Sequence, residues 1–320
     1  MNNLKKVGIT GASGFIGSFN TKKFLAEGYA VKASVTDISR KDKYQHLLKL
    51  PNAQNLEIVE LDVQNGTQLE NFLKDCSIVV HGGTPFQLEV QDPKAELFDP
   101  TIKGTENFLE LVKDTPGVEK VVFIASVAAF NTNFPMLPEG KTENDQVTEQ
   151  DPPYMNKENH PYAQAKFMAH QTVEKFIAGH SSTDLEIVTV SPVMVTGRAM
   201  SAREDCTSMG LQHLIQNKIA PNDFLKTLYD LDVYWALVDV EDVAEGVYKA
   251  ATIKGVHGRN YLLSSESYRI SDISQMLNQK PPMGEAKIVY NSALAQKELE
   301  MQFKPARQVL HGFTASTVGA

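Results

Sequence analysis

Only two cysteines, Cys76 and Cys206, occur in 320 residues. Two thiols can build neither a disulfide framework nor a four-thiolate zinc site. A reducing compartment is expected, with both residues serving as small buried or semi-buried side chains. None of the eight histidines has ligand-like spacing, so no metal site is expected. Arginine is also sparse, at six of the 31 cationic residues, and the 39 acidic residues leave a net charge of -8. That balance lacks the basic face of a nucleic-acid binder. No apolar stretch approaches the roughly 20 residues of a membrane span. The opening MNNLKKVGIT has no apolar run of the secretory kind. The expectation is a cytoplasmic protein, monomer or homodimer, with neither nucleic-acid nor membrane partners.

What is present is an alternation of short apolar runs and amphipathic segments. Strands are expected at 7–10, 29–35, 56–61, 77–81, 119–126 and 185–190, then at 236–240 and 259–264. Helical spacing occurs at 15–27, 40–49, 66–74, 103–114, 161–178, 241–252 and 271–278. The runs are β-branched and nearly continuous, as in strands buried on both faces. Strand–helix–strand repetition then predicts an α/β fold: a Rossmann-type doubly wound parallel sheet, joined by right-handed crossovers. The stretch 131–160 is polar, rich in Pro and Asn and without period, which reads as a long functional lid or excursion. Residues 1–195 and 236–265 are expected to form the dinucleotide-binding domain. A smaller, discontinuous C-terminal substrate lobe takes 196–235 and 266–320.

The strongest local signal is Thr10-Gly11-Ala12-Ser13-Gly14-Phe15-Ile16-Gly17, between the first strand and first helix. Glycines there let backbone approach a pyrophosphate and let the helix pack closely on the sheet. The helix N-terminus supplies N–H donors to the phosphates. With 20 glycines, such a spacing arises by chance about 0.1 times per chain. After the second strand, Asp37 could hold a free 2′-hydroxyl of NAD, whereas Arg40 and Lys43 could hold the 2′-phosphate of NADP. Asp62-Val63, after the third strand, lies where an adenine is expected, although Asp62 also reads as a turn residue.

Tyr162-Ala163-Gln164-Ala165-Lys166 puts a phenol and an ammonium on one helix face. Chance alone yields about 0.8 such pairs, so the weight comes from position, in the helix after the fifth strand. Ser126 lies at the carboxyl end of that strand, where open α/β sheets form their ligand crevice.

Together with DPTIKGTENFLELV, VEKVVFIASVAA, SPVMVTG, LVDVEDVAEG and GRNYLLSSE, these motifs run in order over about residues 4–265. The chain resembles the extended branch of the short-chain dehydrogenase/reductase superfamily. Within it, the likeness is to the dihydroflavonol reductase and cinnamoyl-CoA reductase group, which includes microbial methylglyoxal, ketone and aldehyde reductases. The resemblance implies a catalytic set of Ser126, Tyr162 and Lys166. Tyr162 would be the general acid, Ser126 would orient the carbonyl, and Lys166 would lower the Tyr162 pKa and hold the nicotinamide ribose. It also implies that Gly82, Gly83 and Thr84 pass near the ribose and that Pro192 and Val195 approach the nicotinamide. Thr36 stands where the group normally has an arginine for the 2′-phosphate; Arg40 and Lys43 take that role, so NADP(H) is expected over NAD(H).

The implied activity is NADPH-dependent reduction of a small ketone or aldehyde. Asn159-His160-Pro161-Tyr162 lacks the aromatic and cysteine stretch of cinnamoyl-CoA reductases, which argues against a CoA thioester. Sugar-nucleotide epimerases and dehydratases are the alternative, but Ser191-Pro192-Val193-Met194 lacks their arginine- and asparagine-bearing segment. Non-catalytic NADP-binding sensors typically lose the Tyr–Lys pair. Phe86, Phe130, Phe134, Met194, Met200, Phe224 and Trp235 are the candidate lining of an apolar substrate pocket.

Overall fold

The computed structural model describes residues 4–82, 91–180, 184–201 and 206–313. Its strands are β1 (Lys6–Ile9), β2 (Ala30–Val35), β3 (Leu56–Glu60), β4 (Ile78–His81), β5 (Lys120–Ile124), β6 (Glu186–Pro192), β7 (Met194–Thr196), β8 (Tyr234–Asp239), β9 (Asn260–Leu263) and β10 (Ser267–Arg269). The helices are α1 (Phe15–Ala26), α2 (Gly66–Leu73), α3 (Asp99–Asp114), α4 (Pro161–Gly179), α5 (Thr207–Asn217), α6 (Asp223–Leu231), α7 (Val240–Thr252), α8 (Ile270–Leu277), α9 (Ala293–Glu298) and α10 (Ala306–His311).

Seven strands form one parallel sheet in the order β3-β2-β1-β4-β5-β6-β9. This is the doubly wound Rossmann arrangement. The order reverses between β1 and β4, and a crevice opens there at the carboxyl ends of the strands. One face is covered by α1 and α7, which pack on each other, and the other by α2, α3 and α4. Each layer has its own apolar core: Phe24, Leu25, Val243 and Val247 on the first, Leu69, Phe72, Phe108, Leu109 and Val173 on the second. Burial on both faces is why the strands read as continuous β-branched runs.

Two expectations need correction. The segment 40–49 is not a helix but two short 3₁₀ turns, Lys41–Lys43 and Leu47–Lys49. Tyr44 breaks the run with φ -133; its ring is buried and its hydroxyl donates to the Ile38 carbonyl at 2.8 Å. Of the segment 236–265, only β9 pairs with the large sheet. β8 lies in a second sheet, β10-β8-β7, beside β7 and antiparallel β10. Its continuous apolar run suits either sheet, and the two three-residue strands beside it carry too few residues for a periodic signal. Under this second sheet, α5, α8 and α10 bury Ile215, Ile273, Met276 and Leu310.

The stretch 131–160 contains no helix or multi-residue strand, yet it is tied down. Val147 exchanges backbone hydrogen bonds with Val289 and Asn291, at 2.8 and 2.9 Å. Asn131, fully buried, donates to the Tyr290 hydroxyl at 2.7 Å. Glu149 accepts the N–H of Leu262 on the edge strand β9 at 3.0 Å. No helix among the described residues is long and apolar enough to cross a membrane. Among those residues no group of three potential metal ligands occurs either.

Candidate active site

The glycine turn closes β1 onto α1. Gly11 has φ +63, a conformation that costs a side chain dearly. Its N–H donates to Ser34 Oγ at 3.1 Å, and the next N–H, of Ala12, donates to the Ser34 carbonyl at 3.1 Å. A Cβ on Gly17 would stand 2.2 Å from the Gly11 carbonyl oxygen, and one on Gly14 3.2 Å. Gly14 caps α1 in extended conformation with no side-chain hydrogen bond, and the first turn holds no acidic residue. Ser13, Phe15 and Ile16 are half-buried around it. N–H donors uncapped among the described residues, and a close approach of turn and helix that a Cβ on Gly17 would block, suit an anionic pyrophosphate. Opposite, at the end of β4, a Cβ on Gly82 would come within 2.5 Å of the Thr10 carbonyl oxygen. Gly83 and Thr84 lie outside the described residues.

At the far end of β2, Thr36 and Asp37 are exposed. The Asp37 carboxylate accepts the Ser39 N–H at 2.8 Å and the Ser39 hydroxyl at 2.6 Å, and these bonds hold its pKa below the usual range. Arg40 forks onto Asp42, with Nε–Oδ1 3.1 Å and Nη2–Oδ2 2.9 Å. Lys43 follows on the same short turn, half-buried. The two predicted cations therefore sit together beyond β2, with Arg40 engaged by an acidic neighbour. Asp62 accepts the Gln64 N–H at 2.9 Å, a local turn bond, with Val63 half-buried beside it.

Ser126 follows β5 in extended conformation and accepts the Ala128 N–H at 3.3 Å. The short turn it caps, Val127–Ala129, packs on α4, the helix that carries Tyr162 and Lys166. Pro161 opens that helix at its first position, and His160 Nδ1 accepts the Tyr162 N–H at 3.2 Å. Gln164 ties the helix to the preceding loop by donating to the Lys157 and Asn159 carbonyls at 2.9 and 2.7 Å. The Lys166 ammonium lies 5.7 Å from the centre of the Tyr162 ring. Burial pushes the Tyr162 phenol up from its ordinary value and brings Lys166 down to about 8. The shift at Tyr162 comes from burial and is opposite in sign to the lowering expected from Lys166.

Phe134 meets Trp235 edge-on with ring centres 6.3 Å apart. Both pack with Met194 and Phe15 in the core under the smaller sheet. Pro192 and Val195 flank the β6–β7 junction and are buried. Phe130 and Met200 belong to the core of the large sheet instead. Phe224 is 44% exposed on α6, whose buried face is carried by Leu225 and Leu228. It is therefore not brought to the cluster. Phe86 lies outside the described residues.

The profile of the NAD-dependent epimerase/dehydratase family matches residues 7–264. The chain belongs to that family. Among similar proteins is a cinnamoyl-CoA reductase, CAD2, of Medicago truncatula, 29% identical over 276 residues, 86% of this chain and 80% of that protein. A dihydroflavonol 4-reductase of Hordeum vulgare is 27% identical over 311 residues, covering 96% and 83%. The crystal structure of yeast methylglyoxal/isovaleraldehyde reductase Gre2 complexed with NADPH superimposes with TM-score 0.79 at 21% identity, over 98% of each chain. The resemblance to extended short-chain dehydrogenases/reductases, and the doubly wound fold read from the strand–helix alternation, are borne out.

This member of the epimerase/dehydratase family has contacts at the crevice that motif reading overlooked. Ser34 anchors the glycine turn, and no glycine pattern points to it. Thr10 joins the turn to β4 through Gly82 and His81. Below Lys166, one turn further along α4, His170 is buried at 4% exposure. The i, i+4 spacing of Lys166 and His170 was a legible signal for that neighbour.

Proposed function

We propose that the protein is an NADPH-dependent carbonyl reductase that converts a small ketone or aldehyde to the alcohol. The observation that carries this reading is the grouping at the switch point of the sheet. Tyr162 and Lys166 share one face of α4, which packs against the turn begun by Ser126. The glycine cradle of α1 completes the crevice. The reductase names of the relatives, and the NADPH bound in Gre2, support it.

Bound at the cradle, the dinucleotide supplies the hydride. The N–H groups of the first turn of α1 hold its pyrophosphate, while Arg40 and Lys43 hold the 2′-phosphate. Ser126 donates a hydrogen bond to the carbonyl oxygen as negative charge grows there. Tyr162, whose proton is retained well above neutral pH, gives that proton to the same oxygen. Lys166 binds the nicotinamide ribose, and its charge favours the phenolate left behind. Phe134, Met194 and Trp235 form an apolar wall for the carbonyl's substituent.

The test is NADPH consumption against a panel of small ketones and aldehydes, with a UDP-sugar as control. Turnover of carbonyls alone is expected. Silence across the carbonyls with conversion of the nucleotide sugar would replace this reading by the epimerase one.

A further inference from the structure

Behind Lys166 lies a cavity of about 30 Å³ between α4 and the sheet. Its lining includes His81, Thr105, Phe123, Lys166, His170 and Thr189. A volume of about 10–15 Å³ suffices for one water, provided two to four polar partners converge on it. Most of this wall is carbon, so the site suits a single water or a pair, not a chain.

Two residues of this lining carry polar groups without a hydrogen-bond partner among the described residues. Among the described residues the Lys166 ammonium makes no hydrogen bond or ion pair; it lies over the face of Tyr162 and acts on His81 through its charge. His170 is 4% exposed, and its Nδ1 is buried with no hydrogen-bond partner. Its other nitrogen, Nε2, is committed: the Glu174 carboxylate lies 3.2 Å away and Asn260 Nδ2 2.9 Å away. A carboxylate requires a donor, which puts the proton on Nε2. Turned over, the Asn260 amide presents its oxygen to that N–H and its NH₂ to Ser191 Oγ. Nδ1 is then an acceptor, and an orphaned buried acceptor costs about 1–3 kcal/mol. Thr105 donates to the Thr101 carbonyl at 2.8 Å and keeps lone pairs to offer.

We infer that this cavity is a built water site. A water there accepts from the Lys166 ammonium and donates to His170 Nδ1, and His170 is a positioning residue that keeps Lys166 charged. The titratable groups facing Lys166 are His81 from β4 and Tyr162 and His170 from α4, with Glu174 behind His170. The parts of β5, β6 and α3 at the cavity contribute Phe123, Ile124, Ala125, Thr189 and Thr105, none of which titrates. His81 is held neutral, its pKa pushed down to about 3 by burial and by the Lys166 charge, so it does not compete for the proton. Burial drags Lys166 down to about 8, and a bound acceptor opposes that pull.

The kinetic half of this inference rests on the reductase reading; the water itself does not. A high-resolution crystal structure of the whole chain is expected to show ordered density within hydrogen-bond reach of both Lys166 Nζ and His170 Nδ1. A site without density, or one filled by a rotated Lys166 side chain, would overturn the inference. In turnover, the charged Lys166 is needed, so activity falls as pH rises through its pKa. His170→Phe, which fills the site and removes the acceptor, is expected to move that alkaline limb down by about one pH unit. His170→Leu gives the same reading with a smaller side chain, and His170→Asn is expected to return the limb to its wild-type position. An alkaline limb that stays in place in both apolar variants contradicts the positioning role. If the wild type reduces no carbonyl, the reductase reading fails and the density still decides the water.

Discussion

The hydroxyl of Thr10 accepts the Gly82 N–H at 2.8 Å and stands 3.2 Å from His81 Nδ1. The Thr10 hydroxyl is thus shared between the Gly82 N–H and the His81 ring. The pair bridges the strand before the glycine turn and the strand across the crevice, so the geometry of the cofactor site depends on a neutral imidazole. Its ring also stacks on Phe108, 4.0 Å between centres.

That dependence has a sign. Burial, and then the Lys166 charge, lower the His81 pKa from 6.5 to about 3. Between those values the unfolded chain binds a proton that the folded one refuses, so stability contributed by His81 is lost as pH falls from 6.5 toward 3. His81→Gln, which keeps an amide near Thr10, is expected to lose less melting temperature than the wild type between about pH 7 and pH 4.5. Parallel losses in the two proteins would contradict this account of His81.

Gly17→Ala tests the cradle. The added Cβ would meet the Gly11 carbonyl oxygen at 2.2 Å and Ala12 Cα at 2.8 Å, both backbone atoms that cannot swing aside. A destabilisation of about 2 kcal/mol or more is expected in chemical denaturation, with weakened NADPH binding in what remains folded. Gly104→Ala, at a helical site with nothing within 4 Å, serves as the tolerated control.

The fold was largely legible because buried parallel strands advertise themselves. All six strands expected before residue 195 lie within a residue or two of where they form, as at Lys6–Ile9 and Lys120–Ile124. The three-residue strands β7 and β10 were not legible, because three residues carry no period and their pairing depends on distant partners. The same holds for the site. The glycine turn and the Tyr162–Lys166 spacing are local patterns, whereas Ser34 reaches Gly11 from 23 positions away and Asn131 reaches Tyr290 from 159. Phe224 stands apart from the Phe134–Trp235 cluster, and sequence alone does not say which face of its helix an aromatic occupies.

The 2′-phosphate assignment turns on Arg40 and its partner. Arg40 is bound to Asp42 on an exposed loop, where the pair itself contributes little stability. Arg40→Ala is expected to weaken NADPH binding about tenfold and leave NADH within about twofold. Asp42→Asn, which releases Arg40 from the fork, is expected to tighten NADPH. Equal losses for both dinucleotides in the Arg40 variant would remove it from the phosphate site.

Proton donation by Tyr162 is the step on which the reductase reading stands. Its most direct test pairs turnover with cofactor binding in Tyr162→Phe, using a carbonyl that the wild type reduces. The phenyl ring keeps the packing beside Lys166 while removing the proton. A fall in kcat of about a thousandfold or more is predicted, with the dissociation constant for NADPH within a few-fold of wild type. Near-normal turnover in that variant, at unchanged NADPH affinity, would contradict it.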